Sequence, residues 1–182
     1  MAIQKFILAG FVLFLTACAN PLNQETYSRY LNEGAIAERQ ANPQLAEAAY
    51  SRALGNVYIG NLGPERESEA LFNLGRMERL NGKFDLALEH LQKSLQIDEN
   101  TNNAPIKIIK STLGEIAMTL YEKGNIQQGI TYLDRLSQLD GSIFYSEKSK
   151  DFISKLFLSY AKKLREQGNV EKANFYETMA SK

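Results

Sequence analysis

The 182-residue chain contains few of the residues that build metal sites, disulfides and catalytic centres. It has one cysteine, one histidine and no tryptophan. Neither a zinc site of cysteine and histidine ligands nor a disulfide framework can therefore form within one chain. The 21 basic and 21 acidic side chains cancel, whereas nucleic-acid-binding proteins normally carry a basic excess. We expect no metal, no cofactor, no small-molecule substrate and no nucleic acid partner.

Catalytic motifs are missing as well. His90 stands alone in a predicted helix and is expected to be a solvated surface residue. Gly141-Ser142 lacks the glycine that would complete a nucleophile elbow, and there is no phosphate-binding or dinucleotide-binding glycine motif. Two acidic groups are expected to be solvated, one at a helix start and one in a loop: Glu65, Glu67 and Glu69, and Asp98 and Glu99. We therefore predict that the protein is not an enzyme, and an enzyme of cell-wall metabolism is the least favoured function.

The N-terminus has the pattern of a secretion signal. An apolar run, FILAGFVLFL, follows Lys5 and is long enough to cover only about half of a 30 Å hydrocarbon core. The next residues, Leu15, Thr16, Ala17 and Cys18, resemble the lipobox of bacterial lipoproteins, which is an aliphatic residue, two small residues and the acylated cysteine. The resemblance implies a signal peptide over residues 1–17, recognition of Leu15, Thr16 and Ala17 by the lipoprotein signal peptidase, and lipidation of Cys18.

Two other interpretations of this segment stay open. Ala17-Cys18-Ala19 also satisfies the A-x-A rule, so ordinary cleavage after Ala19 would release an unanchored periplasmic protein. Cys18 could instead be an incidental residue in an uncleaved anchor. Lipidation is favoured because the single cysteine of the chain occupies the acylated position. Ala19 stands where lipoproteins retained in the inner membrane usually carry Asp, which favours the outer membrane, facing the periplasm of a bacterial cell envelope.

Residues 18–24 are then the lipidated cysteine and a short polar tether, and residues 25–182 form a body with a repeat of about 42 residues. Spacings of 7, 5, 4 and 3 recur in four copies. The positions are Gly34, Ala41, Ala46, Tyr50 and Ala53; Gly75, Gly82, Ala87, Leu91 and Ser94; Ala117, Gly124, Gly129, Leu133 and Leu136; and Ala161, Gly168, Ala173, Glu177 and Ala180. Repeats of this length indicate stacked pairs of antiparallel helices, with glycine at the turns and small residues where the helices approach closely. The predicted helices are 24–41, 43–59, 64–81, 84–97, 105–123, 126–138, 146–167 and 170–181.

The second copy resembles the tetratricopeptide repeat (TPR). The matching residues are Leu74-Gly75, Gly82-Lys83-Phe84, Ala87, Leu91 and Ser94. The 42-residue period is similar to the longer repeats of kinesin light chains. The resemblance implies an all-α fold, a solenoid of about four antiparallel helix pairs in a right-handed superhelix. The sequence departs from the pattern at Glu78, where a large aromatic is usual, at Ala41, where the turn glycine is usual, and at Glu177, where a large residue is usual.

The resemblance also implies a function, because a solenoid offers a long concave surface for binding. We expect a membrane-anchored adaptor or scaffold that holds another envelope protein or a peptide segment of unknown identity in a bacterial envelope assembly. The alternatives are a structural lipoprotein that associates with itself and a pilotin-like factor for pilus or secretin assembly.

In TPR arrays the first helix of each pair lines the concave face. The corresponding residues, expected to bind the partner, are Phe72, Arg76, Arg79, Met118, Tyr121, Leu158, Lys162 and Arg165. Two basic pairs three residues apart would flank an apolar strip and suit a peptide that carries carboxylates. The neutral total charge requires acidic residues elsewhere to offset such a strip, and we expect these to be Glu65, Glu67 and Glu69. The same cations could equally form a solvated face that holds nearby acidic residues.

Overall fold

The computed structural model describes residues 21–101, 104–139 and 147–181. Within these ranges the chain forms eight helices and no strand. They are α1 (Pro21–Arg39), α2 (Pro43–Gly60), α3 (Pro64–Leu80), α4 (Phe84–Asn100), α5 (Ile106–Glu122), α6 (Ile126–Gln138), α7 (Glu147–Glu166) and α8 (Val170–Ala180). The predicted all-α fold is confirmed, and each predicted helix end lies within three residues of the observed one. Cys18, the three residues before it and Gly141-Ser142 lie outside the described residues.

Two helices extend three residues beyond their predicted ends. Helix α1 begins at Pro21, so residues 21–24 of the expected tether are helical. Proline suits a first helical turn, because its ring fixes φ and it lacks an N–H that would go unpaired there. Helix α4 continues to Asn100, so Asp98 and Glu99 lie in a helix and not in the expected loop.

Each helix pair turns at a residue in the left-handed conformation. These residues are Ala41 (φ 53°), Gly82 (φ 75°), Gly124 (φ 85°) and Gly168 (φ 81°). The following N–H closes the turn on the carbonyl five residues earlier, as from Lys83 to Glu78 at 2.8 Å and from Asn169 to Leu164 at 2.9 Å. This bond is the mark of a Schellman cap, which favours glycine at the turn. The first pair makes the same turn with alanine.

Small residues let the two helices of a pair approach closely, as the repeat predicts. A Cβ at Gly34 would lie 2.4 Å from the ring of Tyr50, and a Cβ at Gly75 would lie 2.7 Å from Leu91 Cγ. The last pair differs, because Glu177, which occupies the corresponding large position, is exposed. Tyr176, one residue earlier, is fully buried in its place.

The apolar core along the stack consists of two clusters. Leu71 and Leu74 of α3 belong to a cluster with α1 and α2, while Leu91 of α4 begins a cluster that continues to Tyr176 of α8. The two clusters meet within the second pair, where Phe72 of α3 packs against the second cluster and Ile97 of α4 packs against the first. This arrangement leaves the first helices of successive pairs side by side, and the candidate site lies between them.

Candidate functional site

The first helices of the second, third and fourth pairs enclose a groove with a cavity volume of about 860 Å³, which we call the inner groove. Helix α3 forms one wall, the α4–α5 junction and α5 form the other, and the start of α7 closes it. The residues that define it here are Phe72, Asn73, Arg76, Asp98, Ile108 and Phe152. The groove therefore spans three consecutive helix pairs.

A second groove of about 540 Å³ lies beside the inner groove, between α1 and α3. Arg66, Glu69 and Asn73 of α3 line both. The two grooves therefore form one surface along the first helices, with Asn73 at its centre.

Three of the eight residues predicted to bind a partner, Phe72, Arg76 and Arg79, line the inner groove. Met118 and Tyr121 are half-buried and pack against the core, with the Tyr121 ring centroid 5.4 Å from that of Tyr160. The other three, Leu158, Lys162 and Arg165, are exposed on α7. Their role in partner binding stays a prediction.

Arg76 and Arg79 are held in a network of ion pairs that joins α1, α3 and α5. Arg76 Nη2 lies 3.0 Å from Glu38 Oε2, and its Nε lies 3.5 Å from Glu115 Oε1. Arg79 Nε lies 3.0 Å from Glu115 Oε2, and its Nη1 lies 2.9 Å from Glu122 Oε1. Two guanidinium groups thus face three carboxylates, and the expected basic strip is absent at this place.

The centre of this network is largely removed from water. The side chain of Arg79 is 11% exposed and that of Glu115 is 11% exposed. Burial alone would lower the pKa of Arg76, but the carboxylates of Glu115 and Glu38 outweigh it and raise that pKa above its usual value. Arg76 and Arg79 thus hold acidic residues, as in the alternative expectation, but they are partly buried and do not form a solvated face.

The charges on α7 follow a different pattern. Arg165 Nη2 lies 2.7 Å from Glu177 Oε1 and 2.9 Å from Asn174 Oδ1, both on α8. All three side chains are exposed, and exposed pairs of this kind contribute little to stability. They lie outside the inner groove.

His90 is not the solvated residue that the sequence predicts. Its side chain is 22% exposed, and its Nδ1 lies 2.7 Å from Oε2 of Glu78, which is 5% exposed. The hydrogen bond with Glu78 raises the pKa of His90, against the opposing effect of burial. Glu78, the departure from the TPR pattern, is therefore satisfied by a histidine from the second helix of its own pair.

Asp98 lines the inner groove, and the prediction that it is solvated is wrong. It is 7% exposed, and Ser68 donates a hydrogen bond to its Oδ1 at 2.6 Å. Its Oδ2 is buried without a hydrogen-bond partner, and burial raises the pKa of the carboxyl despite the bond from Ser68. A sequence signal was present, because Asp98 lies four residues after Ser94, a predicted packing position on the same helix face.

The described residues also bear on two other kinds of site. Within 21–101, 104–139 and 147–181, no three histidine, aspartate or glutamate side chains are grouped so that they could hold a metal ion. Among the helices of the same ranges, none combines the length and the apolar character that a membrane crossing requires.

Comparison with known proteins identifies the repeat. Residues 26–100 match the family model of the tetratricopeptide repeat. Residues 26–100 therefore consist of tetratricopeptide repeats. No curated protein matches its sequence significantly.

Solved structures of other TPR-like proteins share the fold. BtubC (BKLC) from P. vanneervenii superposes with a TM-score of 0.72 at 14% identity, covering 85% of this chain and 61% of that one. MamA superposes with a TM-score of 0.63 at 14% identity, covering 85% of this chain and 75% of that one. The chain thus spans about three fifths of the length of BtubC. At such identities the likeness shows the fold alone.

The family and the fold together indicate the class of function. TPR proteins are generally interaction modules without catalytic activity, and stacked helix pairs create extended concave surfaces for binding. The fold accordingly supports a protein as the partner.

Proposed function

We propose that this TPR protein is a lipid-anchored adaptor that holds a segment of a partner protein in its inner groove, within a bacterial envelope assembly. The observation that carries the proposal is the groove itself, which three consecutive helix pairs build and which has room for a peptide segment. The polar side chains of its walls are largely engaged with one another.

The chemistry of the groove favours a segment with apolar side chains. Phe72 lines the groove from α3 and Phe152 from the start of α7, and Ile108 and Ile153 add aliphatic surface. Because Arg76 is held by Glu38 and Glu115, it offers no free guanidinium to a partner's carboxylate. Recognition then depends on apolar anchors and on hydrogen bonds at the rim, as in other helix-in-groove and extended-peptide complexes.

A matched pair of asparagines tests the proposal. Asn73 lies at the centre of the grooved surface and donates to the carbonyl of Glu69 at 3.0 Å. Asn56 makes the same bond, to Arg52 at 2.8 Å, on α2 away from the groove. Asn73→Trp should fill the groove without touching the core, whereas Asn56→Trp should not.

The measurement is capture of the partner after crosslinking in living cells and pull-down of the lipidated protein. We expect at least a tenfold loss of capture with Asn73→Trp and no change with Asn56→Trp, with the helical content of both unchanged. Equal capture by the two variants would exclude the groove. A change of oligomer mass with Asn73→Trp would indicate self-association through this surface.

The anchor is the second part of the proposal and rests on the match of Leu15, Thr16, Ala17 and Cys18 to the lipobox. Cleavage before Cys18 and acylation of its thiol would place the protein on the outer membrane, facing the periplasm. A Cys18→Ser variant should lose acyl labelling and should leave the membrane fraction on carbonate washing. Equal membrane recovery of the variant and the wild type would contradict this part.

A further inference from the structure

The two most exposed large apolar side chains of the described residues lie at one end of the first helix pair. Ile59 is 77% exposed in the last turn of α2, and Leu22 is 66% exposed in the first turn of α1. The two helix ends touch, because a Cβ at Gly60 would lie 2.6 Å from Asn23 Cβ. Exposed aliphatic residues that gather at one end of a helix pair are candidates for contact with an apolar surface.

Tyr58 adds an aromatic ring to the same tip. It is 52% exposed, and its hydroxyl donates to Glu67 Oε1 at 3.1 Å and accepts from Lys93 Nζ at 3.0 Å. A ring that is exposed while its hydroxyl is held by charged groups is suited to a boundary between apolar and polar surroundings. We call Leu22, Tyr58 and Ile59 the tip.

The chain places this tip close to the proposed anchor. Only Ala19 and Asn20 separate Cys18 from Pro21, where α1 begins. Three residues of fully extended chain reach about 11 Å at most. A cysteine whose acyl chains are in the bilayer would therefore hold the start of α1 at the membrane surface.

We propose that the tip rests in the interface of the phospholipid bilayer, with Leu22 and Ile59 at the boundary of headgroups and acyl chains. This inference rests on the proposed lipidation of Cys18. A folded protein partner does not fit between the tip and the membrane, because even a 100-residue domain has a radius of gyration of about 13 Å. The bilayer is the apolar partner within reach.

The contact orients the solenoid on the membrane. The turn between α1 and α2 lies a helix length away from the tip, about 27 Å for the 18 residues of α2 at 1.5 Å per residue. The first pair then stands on the bilayer on its tip, and the later pairs, with the inner groove, extend from it. The acyl chains alone would leave the body free to rotate about its tether.

A single added thiol tests the proposal in the full lipidated protein. The chain has one cysteine, which acylation would block, so a second cysteine can be labelled alone. Ile59→Cys would carry a polarity-sensitive fluorophore at the tip. Leu86→Cys would carry the same probe on α4, near the opposite end of a helix pair, where Leu86 is 47% exposed. Both proteins are reconstituted into vesicles of phosphatidylethanolamine and phosphatidylglycerol.

We expect the probe at position 59 to emit at shorter wavelength and to be quenched by brominated phospholipid at least threefold more than the probe at position 86. Equal quenching at the two positions in protein that sediments with the vesicles would overturn the tip contact and leave the anchor intact. The same variants in a Cys18→Ser background should stay in the supernatant with water-like emission. Failure of the Cys18 proteins themselves to sediment would overturn the anchor and, with it, this inference.

Discussion

At position 129 the space for a side chain is already occupied by the hydroxyl of Tyr160, 1.6 Å from where an added Cβ would lie. Tyr160 belongs to α7, in the next helix pair, and donates to the carbonyl of Ala117 at 2.7 Å. The sequence repeat places alanine or glycine at this position because two helices of one pair meet there. Position 129 must be glycine for a further reason, because Tyr160 of the following pair fills the space of a side chain there.

We predict that Gly129→Ala lowers the free energy of unfolding by about 1–3 kcal/mol, because the Tyr160 ring must move and overpacks its neighbours. Gly55→Ala is the control, since Gly55 lies inside α2 with no atom within 4 Å of an added Cβ. There the better helix propensity of alanine should stabilise by up to about 1 kcal/mol. Urea unfolding followed by circular dichroism measures both, and a Gly129→Ala protein as stable as the wild type would contradict the proposed role of Gly129.

Ala41 carries a strain that its counterparts in the other pairs avoid. It adopts φ 53° at the turn where Gly82 adopts φ 75°, and the left-handed conformation costs a residue with a Cβ about 1–2 kcal/mol. Ala41→Gly should therefore stabilise the protein by a few tenths to about 1 kcal/mol, after the larger unfolded-state entropy of glycine is counted. Gly82→Ala should destabilise it by a similar amount. Thermal unfolding measures the direction of both changes. A loss of stability with Ala41→Gly would contradict the proposed strain at Ala41.

At the scale of elements, the Glu78–His90 pair joins α3 to α4 and makes stability depend on pH. The pKa of His90 is raised above 6.5 in the folded protein, so its contribution is fully present below about pH 6.5. The contribution is lost as pH rises through the folded pKa. Glu89 nearby also raises this pKa, and Lys93 lowers it.

We therefore expect the difference in free energy of unfolding between wild type and His90→Gln to be larger at pH 6 than at pH 8.5. Glutamine keeps a donor for Glu78 but does not titrate, so the comparison isolates the charge of His90. Urea unfolding at the two pH values gives the difference. A difference that is constant or grows with pH would show that Glu78 does not stabilise the charged form of His90.

The helices themselves could be predicted from the sequence, because glycine, proline and the apolar period each mark a different part of a pair. Gly82 and Gly124 mark turns and Pro64 marks a helix start, and these signals are local. The partners of polar residues were not predictable in this way. Glu78 and Asp98 are hydrogen-bonded by groups from another helix. The apolar period along one helix does not show which residues face it from the other helix of the pair.

The whole molecule is held together by side chains that reach from one pair to the next. Glu115 of α5 receives both Arg76 and Arg79 of α3, and Arg76 also holds Glu38 of α1. The network therefore spans three helix pairs. Its partners were not found in the sequence because they lie 36 to 43 residues away along the chain.

Glu115→Gln should lower the free energy of unfolding by about 1–3 kcal/mol, since it leaves two partly buried guanidinium groups short of a charge. Glu33→Gln is the control, because Glu33 pairs with Arg29 at side-chain exposures of 48% and 60%. Exposed pairs of this kind contribute between zero and about 1 kcal/mol. Equal losses in the two variants, measured by urea unfolding, would show that the network contributes no more to stability than an exposed ion pair.

The inner groove was predictable as a class of surface but only partly as a set of residues. Phe72, Arg76 and Arg79 line the groove, whereas Met118 and Tyr121 pack against the core. Which face of a first helix lines the groove depends on how each pair is rotated relative to the preceding pair. That rotation is set by contacts such as the one between Gly129 and Tyr160, which no single copy of the repeat contains.

Photo-crosslinking in living cells tests most directly the central claim, that the inner groove of an anchored TPR protein holds a partner. A photoreactive phenylalanine derivative is placed at Asn73 in the groove or at Asn56 on α2, in the full-length protein. We predict that the probe at position 73 forms a discrete adduct with a second protein and that the probe at position 56 forms none. No adduct from position 73, or adducts of equal yield from both positions, would contradict it.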